Sequence, residues 1–167
     1  MKKIVFITLS LLLALSFWNC EKDDICAEGT PTTPRVIIEF YDAANPTVLK
    51  NVTNLKVVET SLTDGFGFTG VNKIQVPLRT NSEETILNFI QNGNNSDTSD
   101  DNTDELIFNY ATQEVYISRA CGYKMTFQLD AIDGVVATPD GSNWIQNIIV
   151  TQPNIENENE VHVKIYF

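Results

Sequence analysis

The feature that most constrains the fold of this chain is an alternation of apolar and polar residues with a period of two. The alternation is clearest in residues 36–41, 73–79, 125–130 and 161–167, where every second side chain is aliphatic or aromatic. Successive side chains of a β-strand point to opposite faces of its sheet, so this pattern predicts half-buried strands. No window after residue 30 carries a helical stripe of useful length.

Further apolar segments raise the number of predicted strands to about nine, at the regular spacing that is typical of sandwiches and barrels. These segments lie near residues 54–60, 85–91, 105–110, 113–119 and 143–151, although residues 82–91 are also the best candidate for a short helix. We therefore predict an all-β fold consisting of a single antiparallel β-sandwich, immunoglobulin-like or jelly-roll-like.

Turn residues support this count of strands. Asp64-Gly65, Asn92-Gly93, Asp133-Gly134 and Asp140-Gly141 each separate two apolar runs, and Gly or Asn readily adopts the positive φ that tight turns require. Residues 111–114 are a further candidate for a hairpin turn. Proline lacks the backbone N–H that a central strand needs, so Pro77 indicates an edge strand or a bulge.

The first 26 residues indicate where the protein is delivered. Lys2 and Lys3 precede an apolar run, residues 4–18, which is shorter than the roughly 20 residues of a membrane-spanning helix. Cys20 follows this run, so the arrangement predicts a lipoprotein signal whose cleavage leaves Cys20 as an acylated N-terminus. Residues 17–19 depart from the usual lipoprotein cleavage box, and the alternatives are a plain secreted protein or an N-terminal anchor.

Cleavage before Cys20 would divide the chain into three parts. Residues 1–19 form the lipoprotein signal peptide, residues 20–33 the lipidated N-terminus and tether, and residues 34–167 the β-sandwich domain. Stable membrane anchoring takes two or more acyl chains, and a mature lipoprotein typically carries three.

The segment after the cysteine predicts the final location. Lys22, Asp23 and Asp24 resemble the lysine-plus-two-acids export signal of lipoproteins from the Bacteroidetes. We therefore expect a lipid anchor in the outer membrane with the domain at the cell surface. The periplasmic leaflet, with a solvated linker after the anchor, is the alternative.

Net charge limits the partners that the chain can have. The signal contains two lysines, so the remaining chain has nine Lys and Arg against 22 Asp and Glu, a formal net charge of −13. Nucleic acids are bound by clustered Lys and Arg, so we expect no nucleic-acid partner. The expected partners are the membrane, through the N-terminal lipid, and an envelope protein or a glycan.

Two cysteines remain once Cys20 is acylated. Cys26 and Cys121 would lie in an oxidising compartment, where disulfides persist, so we predict that they form a bridge. Two free thiols are the alternative. A metal site is disfavoured because two distant cysteines and the one histidine, His162, show no recognisable ligand spacing.

One polar run, residues 92–104, includes the spacing of calcium ligands. Asp97, Ser99 and Asp101 place oxygen atoms at alternate positions, but an EF-hand loop also needs Gly at its sixth position and an acid at its twelfth. Those positions are Asn102 and Phe108, so the run is interpreted as a solvated loop. We predict no metal and no cofactor.

No catalytic set can be assembled from the sequence. His162 lies in an alternating strand, on the face opposite Val163, and no nucleophile or paired-acid motif accompanies it. We therefore predict no catalytic residues and no enzymatic activity.

Four aromatic residues leave two interpretations open. Tyr41, Tyr116, Trp144 and Tyr166 could face outward and stack on a sugar or a partner, with Trp144 as the ligand contact, or could simply fill the core.

Several short motifs occur together in this chain: Cys20 with Cys26, and residues 33–35, 77–80, 118–123 and 159–163. Their combination resembles an uncharacterised family of small lipoproteins from the Bacteroidetes, a domain of unknown function. The resemblance implies an envelope lipoprotein with a β-rich domain and implies no activity. Our expectation is an outer-membrane-anchored, non-enzymatic structural or interaction module. The alternative is a surface-exposed glycan-binding accessory lipoprotein.

Overall fold

The structure is a computed structural model that describes Val5, Thr8 and residues 25–167. Apart from Val5 and Thr8, the predicted signal peptide lies outside the described residues, and so do the predicted lipidation and export residues Cys20, Lys22, Asp23 and Asp24. In the part of the chain that is described, no helix is long and apolar enough to cross a membrane.

Residues 25–167 contain eleven strands and no helix. The strands are β1 (Val36–Tyr41), β2 (Leu55–Glu59), β3 (Phe66–Phe68), β4 (Lys73–Val76), β5 (Glu84–Gln91), β6 (Asn102–Ser118), β7 (Gly122–Leu129), β8 (Val135–Ala137), β9 (Asn147–Val150), β10 (Asn154–Ile155) and β11 (Val163–Tyr166). The all-β prediction is therefore confirmed.

The chain separates into two compact units. Unit 1 combines Met1–Thr30 with Tyr116–Tyr123, and unit 2 combines Pro31–Val115 with Lys124–Phe167. Unit 1 includes the turn between β6 and β7. The hydrophobic core lies in unit 2.

Two sheets pack together in a sandwich-like arrangement. The four-stranded sheet has the order β4-β1-β11-β9, and the seven-stranded sheet has the order β10-β7-β6-β5-β2-β3, with β8 paired to β6. Within the four-stranded sheet, β1 and β11 run parallel with Ile38 opposite Val163, and the other two pairs are antiparallel. This parallel pair departs from the wholly antiparallel prediction.

The predicted alternation describes the core correctly. Val36, Ile38 and Phe40 of β1 are fully buried, as are Val163 and Ile165 of β11. Phe89 and Leu106 of the seven-stranded sheet belong to the same hydrophobic core. Side chains from both sheets therefore share one apolar interior, as in other sandwiches.

Several local predictions are confirmed and one, the hairpin at residues 111–114, is wrong. The Asp-Gly and Asn-Gly turns fall between strands, with positive φ at Asn92 (66°) and Gly141 (86°). Pro77 directly follows β4, which is an edge strand as predicted. Residues 111–114 form no hairpin, because they lack the Gly, Asn or Asp that a tight turn requires, and β6 continues through them for 17 residues. Residues 84–91 form the predicted strand and not the short helix that was the alternative.

Candidate functional site

The best candidate for a binding site in unit 2 is an apolar cleft of about 340 Å³. Its walls come from β2, β3, β4 and β5 and from the segments that follow β2 and β4. The lining residues are Val57, Glu59, Ser61, Leu62, Asp64, Gly65, Phe66, Val76, Pro77, Leu78, Arg79, Thr85 and Leu87.

Buried aliphatic side chains form the inner wall of this apolar cleft. Val57, Val76 and Leu87 are core residues that also line it. The outer wall is exposed: Leu62 is 61% accessible to solvent and Phe66 is 53% accessible. Large apolar side chains at the mouth of an apolar cavity are a feature of ligand sites, because a bound ligand would cover them.

Gly65 holds the loop before β3 close to β2. A Cβ atom at this position would lie 2.2 Å from the carbonyl oxygen of Val57 and 2.8 Å from the Cα atom of Val58. The close backbone approach therefore requires glycine here, and it places Phe66 at the mouth of the cleft.

A charged pair forms the polar side of the cleft. Arg79 Nη2 lies 2.9 Å from Glu59 Oε1 and donates a hydrogen bond to Ser61 Oγ over 3.0 Å. The Ser61 hydroxyl donates in turn to Glu59 Oε2. The hydrogen bond from Ser61, assisted by the Arg79 charge, lowers the pKa of Glu59, which is therefore ionised at neutral pH.

A buried hydrogen-bond network positions the backbone of Arg79. The Tyr110 hydroxyl donates to the Arg79 carbonyl oxygen over 2.9 Å, and the Arg79 N–H donates to Thr85 Oγ1 over 2.9 Å. Thr85 Oγ1 lies 2.6 Å from the Tyr110 hydroxyl oxygen, and it donates to that oxygen because the tyrosine proton is already engaged. Burial raises the pKa of Tyr110, so the phenol stays protonated.

A second, larger cleft of unit 2 is polar and acidic. It has a volume of about 800 Å³, and Glu83, Glu84, Asn109, Gln128 and Asp133 are among its lining residues. Carboxylates and amides suit a ligand rich in hydroxyl groups, because together they offer hydrogen-bond acceptors and donors.

The predicted bridge between Cys26 and Cys121 is present. It joins residues 95 positions apart, and both cysteines belong to unit 1. The Cys121 Sγ atom also lies 3.7 Å from Thr30 Oγ1.

Trp144 is a core residue and lines neither of these clefts. It is 8% exposed, and its indole N–H donates to the Phe89 carbonyl over 3.0 Å. Its ring stacks on Phe40 at a centroid distance of 6.4 Å and meets the edge of Phe167 at 5.3 Å. Of the two interpretations of the aromatic residues, Trp144 follows the core one, because its ring packs against two buried aromatic rings and its N–H group is occupied.

His162 is fully buried, and its predicted place on a polar face is wrong. Its Nδ1 accepts a hydrogen bond from the Ile37 N–H over 2.9 Å, and its backbone N–H donates to the Ile37 carbonyl over 3.0 Å. Burial lowers the pKa of His162, although Glu160 and Glu158 oppose this shift. The side chain therefore completes the hydrogen bonding of β1, which no signal in the local sequence indicates.

Asp104 is a structural residue that the sequence did not indicate. It ends the polar run that was predicted to be solvated, yet it is fully buried. Its carboxylate accepts hydrogen bonds from the backbone N–H groups of Trp144 (3.2 Å) and Ile145 (2.8 Å). Burial raises the pKa of Asp104, and these two hydrogen bonds oppose the shift.

Within the run that has the calcium-like spacing, Asp97 and Ser99 hydrogen-bond to each other in a local turn. Asp97 Oδ1 accepts hydrogen bonds from the Ser99 N–H and the Ser99 hydroxyl. Among the described residues, no group of three or more His, Cys, Asp or Glu side chains is placed to hold a metal ion.

Comparisons with known proteins give a family but no activity. A family model described as "Family of unknown function (DUF6452)" matches residues 51–167. No curated protein and no solved structure matches the chain. The matched region contains all the residues that line the apolar cleft.

Proposed function

We propose that this chain, which belongs to DUF6452, a family of unknown function, is a lipoprotein of the outer membrane that acts without catalysis as a binding module. The ligand that we propose is a small, uncharged amphiphile, whose apolar part enters the cleft between β2, β3, β4 and β5. The observation that carries the proposal is the cleft itself, with buried aliphatic residues inside and exposed Leu62 and Phe66 at its mouth.

The size and lining of the cleft suit an aliphatic chain or a small ring. A volume of about 340 Å³ is within the range of roughly 300–1,000 Å³ that small-molecule sites occupy. Each methylene that leaves water contributes about 0.8 kcal/mol. An apolar group of a few carbons therefore has enough driving force to remain bound.

The charges at the cleft favour a ligand without a carboxylate. Glu59 compensates the positive charge of Arg79, and Asp64 adds a negative charge to the lining. A bound anion would meet a net negative rim, whereas a hydroxyl or amide could donate hydrogen bonds to these carboxylates. An uncharged polar group at one end of the ligand fits this rim best.

A binding role rather than a catalytic one agrees with how the sole histidine is used. His162 is buried and its Nδ1 is engaged with the Ile37 backbone, so it is not available to activate a nucleophile. The proposed acylation of Cys20 and the export signal Lys22, Asp23 and Asp24 would hold the binding module at the envelope.

The test of ligand binding compares three amphiphiles of equal chain length on the full chain. Octanol, octanoate and octyltrimethylammonium would be titrated against the protein in lipid nanodiscs, with empty nanodiscs as the blank. We expect octanol to bind and octanoate to bind more weakly. No binding of any of the three above the blank would remove the proposal.

Two matched variants localise the binding. Phe66→Ser removes an exposed phenyl ring at the cleft, and Ile132→Ser removes an exposed side chain (96% accessible) that does not line it. We expect the first to weaken binding roughly ten-fold, because covering about 50 Å² of apolar surface is worth on the order of 1.3 kcal/mol. Equal binding by the two variants would place the ligand elsewhere.

A glycan is the second candidate ligand, and the acidic cleft is the observation that favours it. Glu84 and Gln128 line that cleft and offer the acceptors and donors that sugar hydroxyls need. A glycan array probed with the wild-type chain and with Gln128→Ala would test it. Binding that is lost in the variant supports a glycan-binding accessory lipoprotein, and a flat array removes this alternative.

The location can be tested by protease shaving of intact cells. The wild-type chain would be compared with a variant in which Lys22, Asp23 and Asp24 are all replaced by Ala. Digestion of the wild type and protection of the variant would support export to the cell surface. Protection of both would place the domain in the periplasm.

A further inference from the structure

Unit 1 exposes a small apolar and aromatic surface beside its disulfide. Ile25 is 83% accessible to solvent, Tyr116 is 59% accessible and Tyr123 is 66% accessible. The two tyrosine rings meet edge to face, with their centroids 5.3 Å apart. We call Ile25, Tyr116 and Tyr123 the tyrosine tip.

The disulfide ties the tyrosine tip to the N-terminal tether. Cys121 lies in the turn between β6 and β7, and its bridge to Cys26 fixes the chain next to Ile25. Cys26 lies only six positions after Cys20, and six residues span at most about 20 Å when fully extended. If Cys20 carries acyl chains, Cys26 therefore lies within about 20 Å of the residue that enters the bilayer.

The charge of this part of the chain also suits a membrane surface. The described residues of unit 1, residues 25–30 and 116–123 with Val5 and Thr8, contain one acid, Glu28, and one base, Arg119. Their net charge is zero, and it is −2 when Glu21, Lys22, Asp23 and Asp24 of the tether are counted, whereas the whole chain after the signal carries −13. A surface with so little net charge is repelled by anionic headgroups far less than the rest of this protein.

We propose that the tyrosine tip lies among the lipid headgroups of the membrane that holds the anchor. Tyrosine favours this interface because its ring is apolar and its hydroxyl can remain hydrated. The proposal rests on the proposed acylation of Cys20. The acyl chains supply the affinity, and the tip fixes the orientation of unit 1 against the bilayer.

The experiment places a photo-crosslinking residue in the full chain in living cells. Benzoylphenylalanine replaces Tyr123 in one variant and Tyr116 in a second, so that the proposal does not depend on a single substitution. The control carries it at Ile132, which is 96% exposed and lies in unit 2. Irradiated envelopes are extracted, and lipid adducts are quantified by mass spectrometry of the peptides.

We expect roughly ten-fold more lipid adduct at position 123 or 116 than at position 132, since only the tip lies at the headgroups. Adducts to a protein alone, or equal lipid adducts at all three positions, would overturn the proposal. Non-reducing peptide mapping shows that each variant keeps the Cys26–Cys121 bridge.

Acylation is scored separately, by metabolic labelling with an alkyne fatty acid, with Cys20→Ala as the unlabelled control. A labelled, membrane-bound protein whose tip gives no lipid adduct would refute the tip and leave the anchor intact. A protein without label would refute the anchor, and the tip proposal with it.

Discussion

Replacing Tyr110 by Phe tests the network that positions the polar side of the apolar cleft. The substitution removes one oxygen and keeps the ring, which packs edge to face on Phe127 at 5.3 Å. The lost hydroxyl is hydrogen-bonded to the Arg79 carbonyl oxygen and to Thr85 Oγ1. The change therefore isolates two buried hydrogen bonds from the packing around them.

The expected cost follows from those two bonds. A buried hydrogen bond contributes about 1 kcal/mol net, and a buried polar group that is left unpaired costs about 1–3 kcal/mol. Two such bonds are lost, so we expect the free energy of unfolding to fall by about 2–3 kcal/mol. With a urea m-value of about 2 kcal/mol/M, the unfolding midpoint moves down by roughly 1 M.

The assay is urea unfolding followed by circular dichroism, with Tyr116→Phe as the matched control. The Tyr116 side chain is exposed, so removal of its hydroxyl should change the free energy of unfolding by less than about 0.5 kcal/mol. Thr85→Val alone and together with Tyr110→Phe completes a double-mutant cycle, for which we expect a coupling of about 1 kcal/mol. If Tyr110→Phe is no more destabilising than Tyr116→Phe, the network does not hold Arg79 as argued.

Three further predictions concern the core and the cross-link. Burial lowers the pKa of His162, so the unfolded chain takes up a proton first, and the free energy of unfolding should fall below about pH 6.5, by up to about 1.4 kcal/mol per pH unit. His162→Asn keeps an acceptor for the Ile37 N–H and should reduce this loss of stability, as measured by urea unfolding at several pH values. If the free energy of unfolding falls equally with pH in both proteins, the loss does not come from His162. The bridge between Cys26 and Cys121 closes a loop of 95 residues, so its reduction should lower the free energy of unfolding by on the order of 4–5 kcal/mol. An unchanged urea midpoint in dithiothreitol would contradict this expectation. Trp144→Ala should cost about 3–5 kcal/mol, and loss of ligand binding without a lower melting temperature would contradict its core role.

The strands were predictable because their information is local. In β1 and β11, alternate aliphatic side chains define the buried face without reference to any partner strand. The parallel pairing of these two strands was not predictable, since it brings together Ile38 and Val163, which lie near opposite ends of the domain's sequence. The continuous strand β6 was missed for a related reason, because a short polar interval resembles a turn unless its pairing is known.

The apolar cleft could not have been found from the sequence. Its inner wall takes Val57 from β2, Val76 from β4 and Leu87 from β5, which resemble any other core positions. Leu62 and Phe66 were the available signal, since large apolar side chains in a short loop and an edge strand are unusual. Their meaning depends on the cavity beside them, which only the fold creates.

Two buried polar residues, His162 and Asp104, show why the roles of polar side chains in this chain could not be predicted from its sequence. A polar side chain is assigned to the surface by default, because burial without a partner is costly. For Asp104, the backbone N–H of Ile145, 41 positions away, offsets that cost. For His162, the backbone N–H of Ile37, 125 positions away, satisfies Nδ1, whereas the buried Nε2 has no hydrogen-bond partner among the described residues. Every residue except proline has a backbone N–H group, so the sequence does not show which of these groups pair with a distant side chain. The burial of His162 and Asp104 could therefore not be predicted. The polar groups that a ligand would meet, Glu59 and Arg79, are likewise brought together from separate segments. A search for function in this family should therefore begin from side chains that converge in the fold rather than from spacing along the chain.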